Sequence, residues 1–440
     1  MFLFLPIVFL LLCTLQWIVD RKRRFRHFEK LRIPGPKPNF FFGNLWELRR
    51  SGVAEFYIFE RWKRSYGDIF GYYSGTRPVL VVTNLDLIRQ ILIKDFNKFH
   101  DRPKVPVNVE PVSKTLVGLR GQRWTTIRRL LAPAFSNHKL QSMSVPVKDK
   151  VQILLDTAEE HATNGESLDF ATATECLSFD VICECALALP GNSQKDQTDP
   201  LFQASRTFLE QGKNMFTFFA IVFPPLANIF AFLNRHFASS GLSTCQIIKS
   251  LRGVLEERRQ QPRTRRVDVL QVLVWGAEKR RRTLTESSTD SEWCNDDNTD
   301  KVDLSDDEII ANAWVFLLGG FDTTAHATAF TIYLLAKYPH VQEKLLQELK
   351  EHIPLSTRVG YQQLRDLQYL TRIIRESMRL YPPVESFVMR EAACDVNYPD
   401  VKIPQGTLIQ VPLWIIHRNP EIWPQPEHFD PDRYFTLASF

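Results

Sequence analysis

The chain has seven cysteines and no C-x-x-C pair among them. Their odd number and irregular spacing, at Cys13, Cys176, Cys183, Cys185, Cys245, Cys294 and Cys394, give neither a disulfide framework nor a zinc pattern. Cys183 and Cys185 read as small apolar residues on a helix, and the chain as resident in a reducing compartment. No interleaved base-stacking pattern follows the basic residues near the amino terminus, so a nucleic-acid partner is not expected. No A-x-A-like cleavage site follows the apolar amino terminus, which argues against a removed signal peptide. No internal repeat is present.

What is there is a chain of 440 residues, 44% hydrophobic and 24% charged, enough for one large or two ordinary cores. Residues Met1 to Val19 are apolar except for Pro6, Thr14 and Gln16. A bilayer core needs about 20 apolar helical residues, so 1–20 are expected to form a transmembrane signal anchor. Much of the net charge of +5 follows directly, on Arg21, Lys22, Arg23, Arg24, Arg26, Lys30 and Arg32. The positive-inside rule places this cluster, and the body after it, in the cytosol. Pro34-Gly35-Pro36-Lys37-Pro38 completes a stiff basic and proline-rich linker over 21–38, with the body over 39–440. A second apolar zone, Met215 to Leu233, is broken by Pro224-Pro225. It is expected to form two short helices whose exposed apolar face dips into the membrane surface.

The body reads as mainly α with a small β region. Ile69 to Val82 alternates and turns at Ser74-Gly75, a β-hairpin pattern. Helical periodicity marks Leu85–Ile93, Val147–Glu160 and Pro339–Glu351. A short strand region spans Phe387 to Val411, with turn signals at Pro399-Asp400 and Gln405-Gly406. Lys279 to Asp307 is basic, then rich in Ser, Thr, Asp and Asn, and is expected to be a disordered surface loop.

Ser305-Asp306-Asp307-Glu308 is a capping box opening a helix through about Lys337, apolar on nearly every side. Inside it stands Gly319-Gly320-Phe321-Asp322-Thr323-Thr324. Two interior glycines sacrifice about 1 kcal/mol each, and threonine hydroxyls can divert carbonyls four residues back. One explanation is close helix packing, with Asp322 paired to a base. The other is a groove for a small ligand, with Thr323 bonding it and Asp322 relaying protons. Further on, Glu376 and Arg379 share one helix face within Tyr369–Tyr381, stopped by Pro382-Pro383. Glu29/Arg32, Glu47/Arg50, Glu256/Arg259 and Glu278/Arg281 have the same spacing, but only the pair at 376 sits in an apolar helix. Buried charges need partners, and Arg433 in Phe429-Asp430-Pro431-Asp432-Arg433-Tyr434 is the natural third member.

With Gly43-Asn44-Leu45, Pro78-Val79-Leu80-Val81-Val82, Lys94-Asp95-Phe96, Phe99 to Pro103 and Arg123-Trp124-x-x-x-Arg128, the chain resembles a microsomal, family-3-like cytochrome P-450 from Pro34 to Tyr434. That resemblance implies the haem b cofactor, with Arg102, Trp124, Arg128 and Arg390 as contacts to its propionates. It makes Asp322 and Thr323 the oxygen-activating pair. Val315, Leu318, Gly319, Val384 and Glu385 become substrate-pocket positions, and Glu376, Arg379 and Arg433 a structural triad. Two electrons arrive in the family from a membrane-bound NADPH reductase, and one oxygen atom enters a lipophilic substrate. The implied location is the endoplasmic reticulum membrane, single-pass.

One part of the pattern is missing. The sequence contains no F-x-x-G-x-R-x-C-x-G segment, which in the family supplies the axial sulfur. The fold is therefore expected to lack its carboxy-terminal part, and the chain to be inactive as an oxygenase. Two other readings accompany this one: a silent chain that binds lipophiles or partners, and an isomerase that rearranges peroxides on the same fold.

Overall fold

The computed structural model describes residues 4–50, 52–104, 112–260, 268–275, 304–353, 359–385 and 388–437. Helix dominates, and the expected class is observed. In chain order the longer helices are α1 (Phe4–Phe25), α2 (Glu55–Tyr66), α3 (Gly121–Leu131), α4 (Asn137–Asn164), α5 (Phe170–Leu187) and α6 (Pro200–Gln211). They continue with α7 (Met215–Val222), α8 (Ala227–Phe237), α9 (Ser239–Gln260), α10 (Asp306–Lys337), α11 (Pro339–His352) and α12 (Gln368–Leu380). The strands are β1 (Ile69–Ser74), β2 (Arg77–Val82), β3 (Met389–Glu391), β4 (Val396–Asn397), β5 (Lys402–Ile403) and β6 (Leu408–Gln410).

The chain divides into two compact units. The first gathers Met1–Val107, Met215–Ala231 and Val384–Pro426. Its sheet has the order β1-β2-β6-β3. β1 and β2 form the expected hairpin, in register from Ile69↔Val82 to Ser74↔Arg77. Gly75 turns it at φ +63°, and a Cβ there would stand 2.6 Å from the Ile221 carbonyl oxygen, so only glycine fits. β6 runs parallel to β2 and antiparallel to β3. From Val79 to Val82, β2 is apolar without interruption because both faces are covered. Leu80 and Val82 join a cluster with Phe28, Ile91, Phe99 and Ile409, while Val79 and Val81 join Phe59, Trp62 and Leu408 on the other face.

The expected membrane anchor is not borne out as a spanning helix. Among the described residues no helix is long and apolar enough to cross a membrane. α1 has 22 residues, but Asp20 to Arg24 fill its last turns. Arg21 is buried rather than solvated: its guanidinium donates to the Phe40 and Phe41 carbonyls and lies 5.1 Å from the Trp17 ring centroid. The proline connector is likewise tied down, Gly71 N donating to Pro34 O at 2.8 Å.

The second unit comprises Asn108–Asn214, Phe232–Pro383 and Glu427–Phe440. Its main core surrounds the first half of α10. Phe179 (α5), Phe202 (α6) and Phe321 (α10) meet edge to face, with ring centroids 5.1–5.8 Å apart. A smaller cluster joins Leu334, Val341, Leu345, Ile373 and Phe429.

Several boundaries differ from the periodicity. Leu85–Ile93 is α-helical only to Arg89, then widens into a π turn over Gln90–Lys94. Val147–Glu160 is the interior of α4, which begins at Asn137 and runs through Pro146. Met215 to Leu233 does form two short helices, separated by a 3-10 turn at Pro224–Leu226. Most of the expected surface loop, 279–303, lies outside the described residues, as does Phe387. The last residues of that loop are ordered. Leu304 is in the core, Asp306 pairs with Arg259, and Asp307 lies 3.1 Å from Lys114 and 3.4 Å from Arg252.

Candidate functional site

α10 begins where its sequence says it should. Glu308 N donates to Ser305 Oγ (3.3 Å) and Ser305 N to Glu308 Oε2 (3.0 Å), closing the capping box. Arg123 grips the same carboxylate at 2.7 and 2.6 Å, which ties α3 to the start of α10. Burial raises the Glu308 pKa, but these bonds outweigh it and the net direction is down. α3 carries Trp124 and Arg128, with the exposed guanidinium of Arg128 5.5 Å from the Trp124 ring centroid.

The two glycines of α10 do different things. A Cβ on Gly320 would stand 2.5 Å from Ile182 Cδ1, so this glycine lets α5 pack closely. A Cβ on Gly319 would meet nothing within 4 Å, so this glycine leaves the helix surface open. Val315, Gly319 and Thr323 recur at four-residue steps and share a stripe. Thr323 Oγ1 donates to the Gly319 carbonyl at 2.6 Å, diverting it as the sequence predicts. Leu318 is buried in the core and Val315 is half-buried against it.

Asp322 has a partner the sequence reading did not name. His326 Nδ1 lies 3.3 Å from Asp322 Oδ1 and 2.9 Å from the Asp322 carbonyl oxygen. The hydrogen bond to Asp322, against the opposing cost of burial, pushes the imidazole pKa up to about 9. Glu175 on α5 is raised by burial, with Arg206 and His326 acting in the opposite sense. The signal for His326 was in the sequence, an acid and a histidine four apart; nothing there brought Glu175 and Arg206 to them.

Glu376, Arg379 and Arg433 come together in the second unit. Arg379 donates to both Glu376 oxygens at 2.8 and 2.9 Å, and Arg433 Nε to Oε1 at 2.8 Å. Asp430 N adds a fourth bond at 3.1 Å, and both guanidinium groups also reach the His428 carbonyl. All three charged side chains are buried. The other pairs of equal spacing found different uses: Glu47 binds Arg61, Arg259 binds Asp306, and 278/281 lies outside the described residues.

In the first unit, Glu391 N donates to Asp101 O at 2.9 Å, bringing the Arg102 segment beside β3 and its Arg390. Arg390 Nη1 donates to its neighbour's carbonyl, Met389 O, at 2.8 Å, while Nε is buried with no hydrogen-bond partner among the described residues. Burial lowers its pKa. Val384 is exposed, and Glu385 lines a shallow pocket with Phe56, Phe59, Gln410, Pro412 and Trp414. Cys176 and Cys183 are buried within α5, and burial pushes the thiols of Cys176 and Cys185 up to about 11.

The family model described as cytochrome P-450 matches residues 33–436. Cytochrome P-450 3A28 of Bos taurus is 30% identical over 415 residues, covering 92% of this chain and 76% of that protein. Cytochrome P-450 3A56 of Fundulus heteroclitus is also 30% identical, over 92% of this chain and 78% of its own. Thromboxane-A synthase of Sus scrofa is 30% identical over 453 residues, covering 97% of this chain and 82% of that protein.

Proposed function

This chain belongs to the cytochrome P-450 family, and from that premise we propose that it is built as a haem-dependent monooxygenase for a lipophilic substrate. Haem b is the family's cofactor. The residues in hand fit its carboxylate side: Arg390 is half-buried, and its Nε is buried with no hydrogen-bond partner among the described residues. A propionate offers the planar anion that such a group binds in charge-assisted bonds. Arg102, held beside β3, and Trp124 with Arg128 on α3 are the further propionate contacts on this reading.

When bound, haem supplies the dioxygen chemistry of the family. The chain's own part is to place substrate and deliver protons. The observation that carries the proposal is the acid–alcohol step, Asp322-Thr323, on an α10 surface that Gly319 leaves open. Thr323 holds a hydroxyl proton at Oγ1, and the Asp322 carboxylate passes protons toward it. Val315, Leu318 and Gly319 on α10, with Val384 and Glu385, are the proposed substrate positions. A rearrangement that takes no protons from solvent has no use for this step. The similarity to thromboxane-A synthases still favours an isomerase as the second reading.

None of the seven cysteines stands in an F-x-x-G-x-R-x-C-x-G setting, and those in α5 are protonated thiols rather than thiolates. A carbon monoxide difference spectrum tests whether one of these cysteines serves as a thiolate ligand: no thiolate-type Soret band is expected from them, and one would show that it does. The reaction class is tested in a chimera that adds the haem-ligand segment of the Bos taurus relative. Product from a lipophilic probe should require dioxygen, NADPH and reductase. Product formed without reductase decides for the isomerase.

The membrane of the endoplasmic reticulum is the proposed location. Support comes from the apolar residues Phe9, Leu12 and Leu15 of α1 and from Phe41, Met215 and Ile229, all exposed on the first unit, together with the basic residues in the last turns of α1 and just after it.

A further inference from the structure

His326 lies one helical turn beyond Asp322 on α10, within electrostatic reach of Glu175 on α5. Its Nδ1 donates to the Asp322 carbonyl oxygen at 2.9 Å and sits 3.3 Å from the carboxylate. From α5, Glu175 is electrostatically coupled to both members of the pair. Its Oε2 is buried with no hydrogen-bond partner among the described residues. From α6, Arg206 Nε stands 3.7 Å from that oxygen, too far for a direct bond and suited to a bridging water. Arg206 bonds Glu210 instead, at 2.9 Å. Among the described residues, the groups coupled to Glu175 besides His326 are therefore two further carboxylates, Asp322 and Glu210, and one permanent cation, Arg206. A second cation among them relieves the excess negative charge, and His326 is the side chain placed to supply it.

We propose that His326 is a positioning residue for Asp322: its imidazolium joins the carboxylate on its own helix to the Glu175 field of α5, and so fixes the acid of the acid–alcohol step in place. The role rests on the reading of Asp322 as the proton-delivering group. Clamped, the carboxylate stays on the helix flank beside Thr323. With a neutral imidazole the ion pair is gone, and the carboxylate samples other rotamers. The raised imidazole pKa, about 9, agrees with a cation maintained through the physiological range.

The test is the titration of His326 in the full 440-residue chain, followed by NMR of histidine labelled with carbon-13 at the ring Cε1 and assigned by loss of the signal in H326N. The expected midpoint is about 9, falling by more than one pH unit in D322N and returning in D322E. E175Q should lower it by a smaller step, and R206Q should raise it. A wild-type midpoint near the ordinary histidine value of about 6.5, or no response to D322N, overturns the clamp. R206Q is conservative at a half-exposed site and carries the test if D322N does not fold. The titration needs no turnover. A raised midpoint in the chain, when the chimera with the added haem-ligand segment forms no product, counts against the catalytic reading alone, and an ordinary midpoint counts against the clamp alone.

Discussion

At the scale of single residues, charge in a dry place is the most informative feature. Glu376 accepts from two guanidinium groups and one backbone N–H with no exposure to water. Removing one member of such a set leaves the others buried and unpaired, which costs about 3–5 kcal/mol. Glu376→Ala should therefore lose most of its stability in a urea titration, whereas Glu47→Ala, removing an exposed pair, should change it by less than about 1 kcal/mol. The pair at 376 was legible because its apolar helix left a charged residue nowhere else to go. His326 was not singled out, because an acid and a histidine four apart usually share a solvated helix face. What distinguishes it comes from α5 and α6, distant in sequence. Its pKa is raised, so the pair contributes stability in full below the ordinary value near 6.5 and loses it as pH rises through about 9. Because the side chain is half-exposed, the loss should stay under about 1 kcal/mol. Melting curves at pH 6.5 and 9.5 should show a larger drop in Tm for the wild type than for H326N.

At the scale of elements, α10 was legible at its start and ambiguous in its middle. Ser305 and Glu308 announce the cap, and the structure closes it as written. Gly319-Gly320 gave two explanations, and each glycine takes one of them. Gly320→Ala would press on Ile182 at 2.5 Å, and overpacking of this kind costs about 1–3 kcal/mol. Gly319→Ala meets nothing and should gain up to about 1 kcal/mol from helix propensity. Equal denaturation midpoints for the two variants would contradict that division. The helix through Pro146 and the π turn at Gln90–Lys94 were not readable from periodicity. One depends on a tolerated missing N–H, the other on one extra residue in a turn.

At the scale of the molecule, sequence and structure agree on a mainly helical body with a small sheet and part on the amino terminus. Asp20 to Arg24 sit within the helix that was expected to span a membrane, and Arg21 is turned inward onto the body. The surface reading predicts binding to anionic vesicles that weakens with salt and weakens further in a Phe41→Ser, Ile229→Ser double variant. Sedimentation unaffected by both would remove it. The central claim is that the chain forms a haem pocket whose carboxylate side depends on Arg390. The most direct measurement is a haem titration of the purified chain, followed by absorbance, in wild type and R390Q. Saturable one-to-one binding that R390Q weakens at least about tenfold, the worth of a charge-assisted bond, is the predicted result. Absence of saturable binding, or equal affinity in the two proteins, would contradict it.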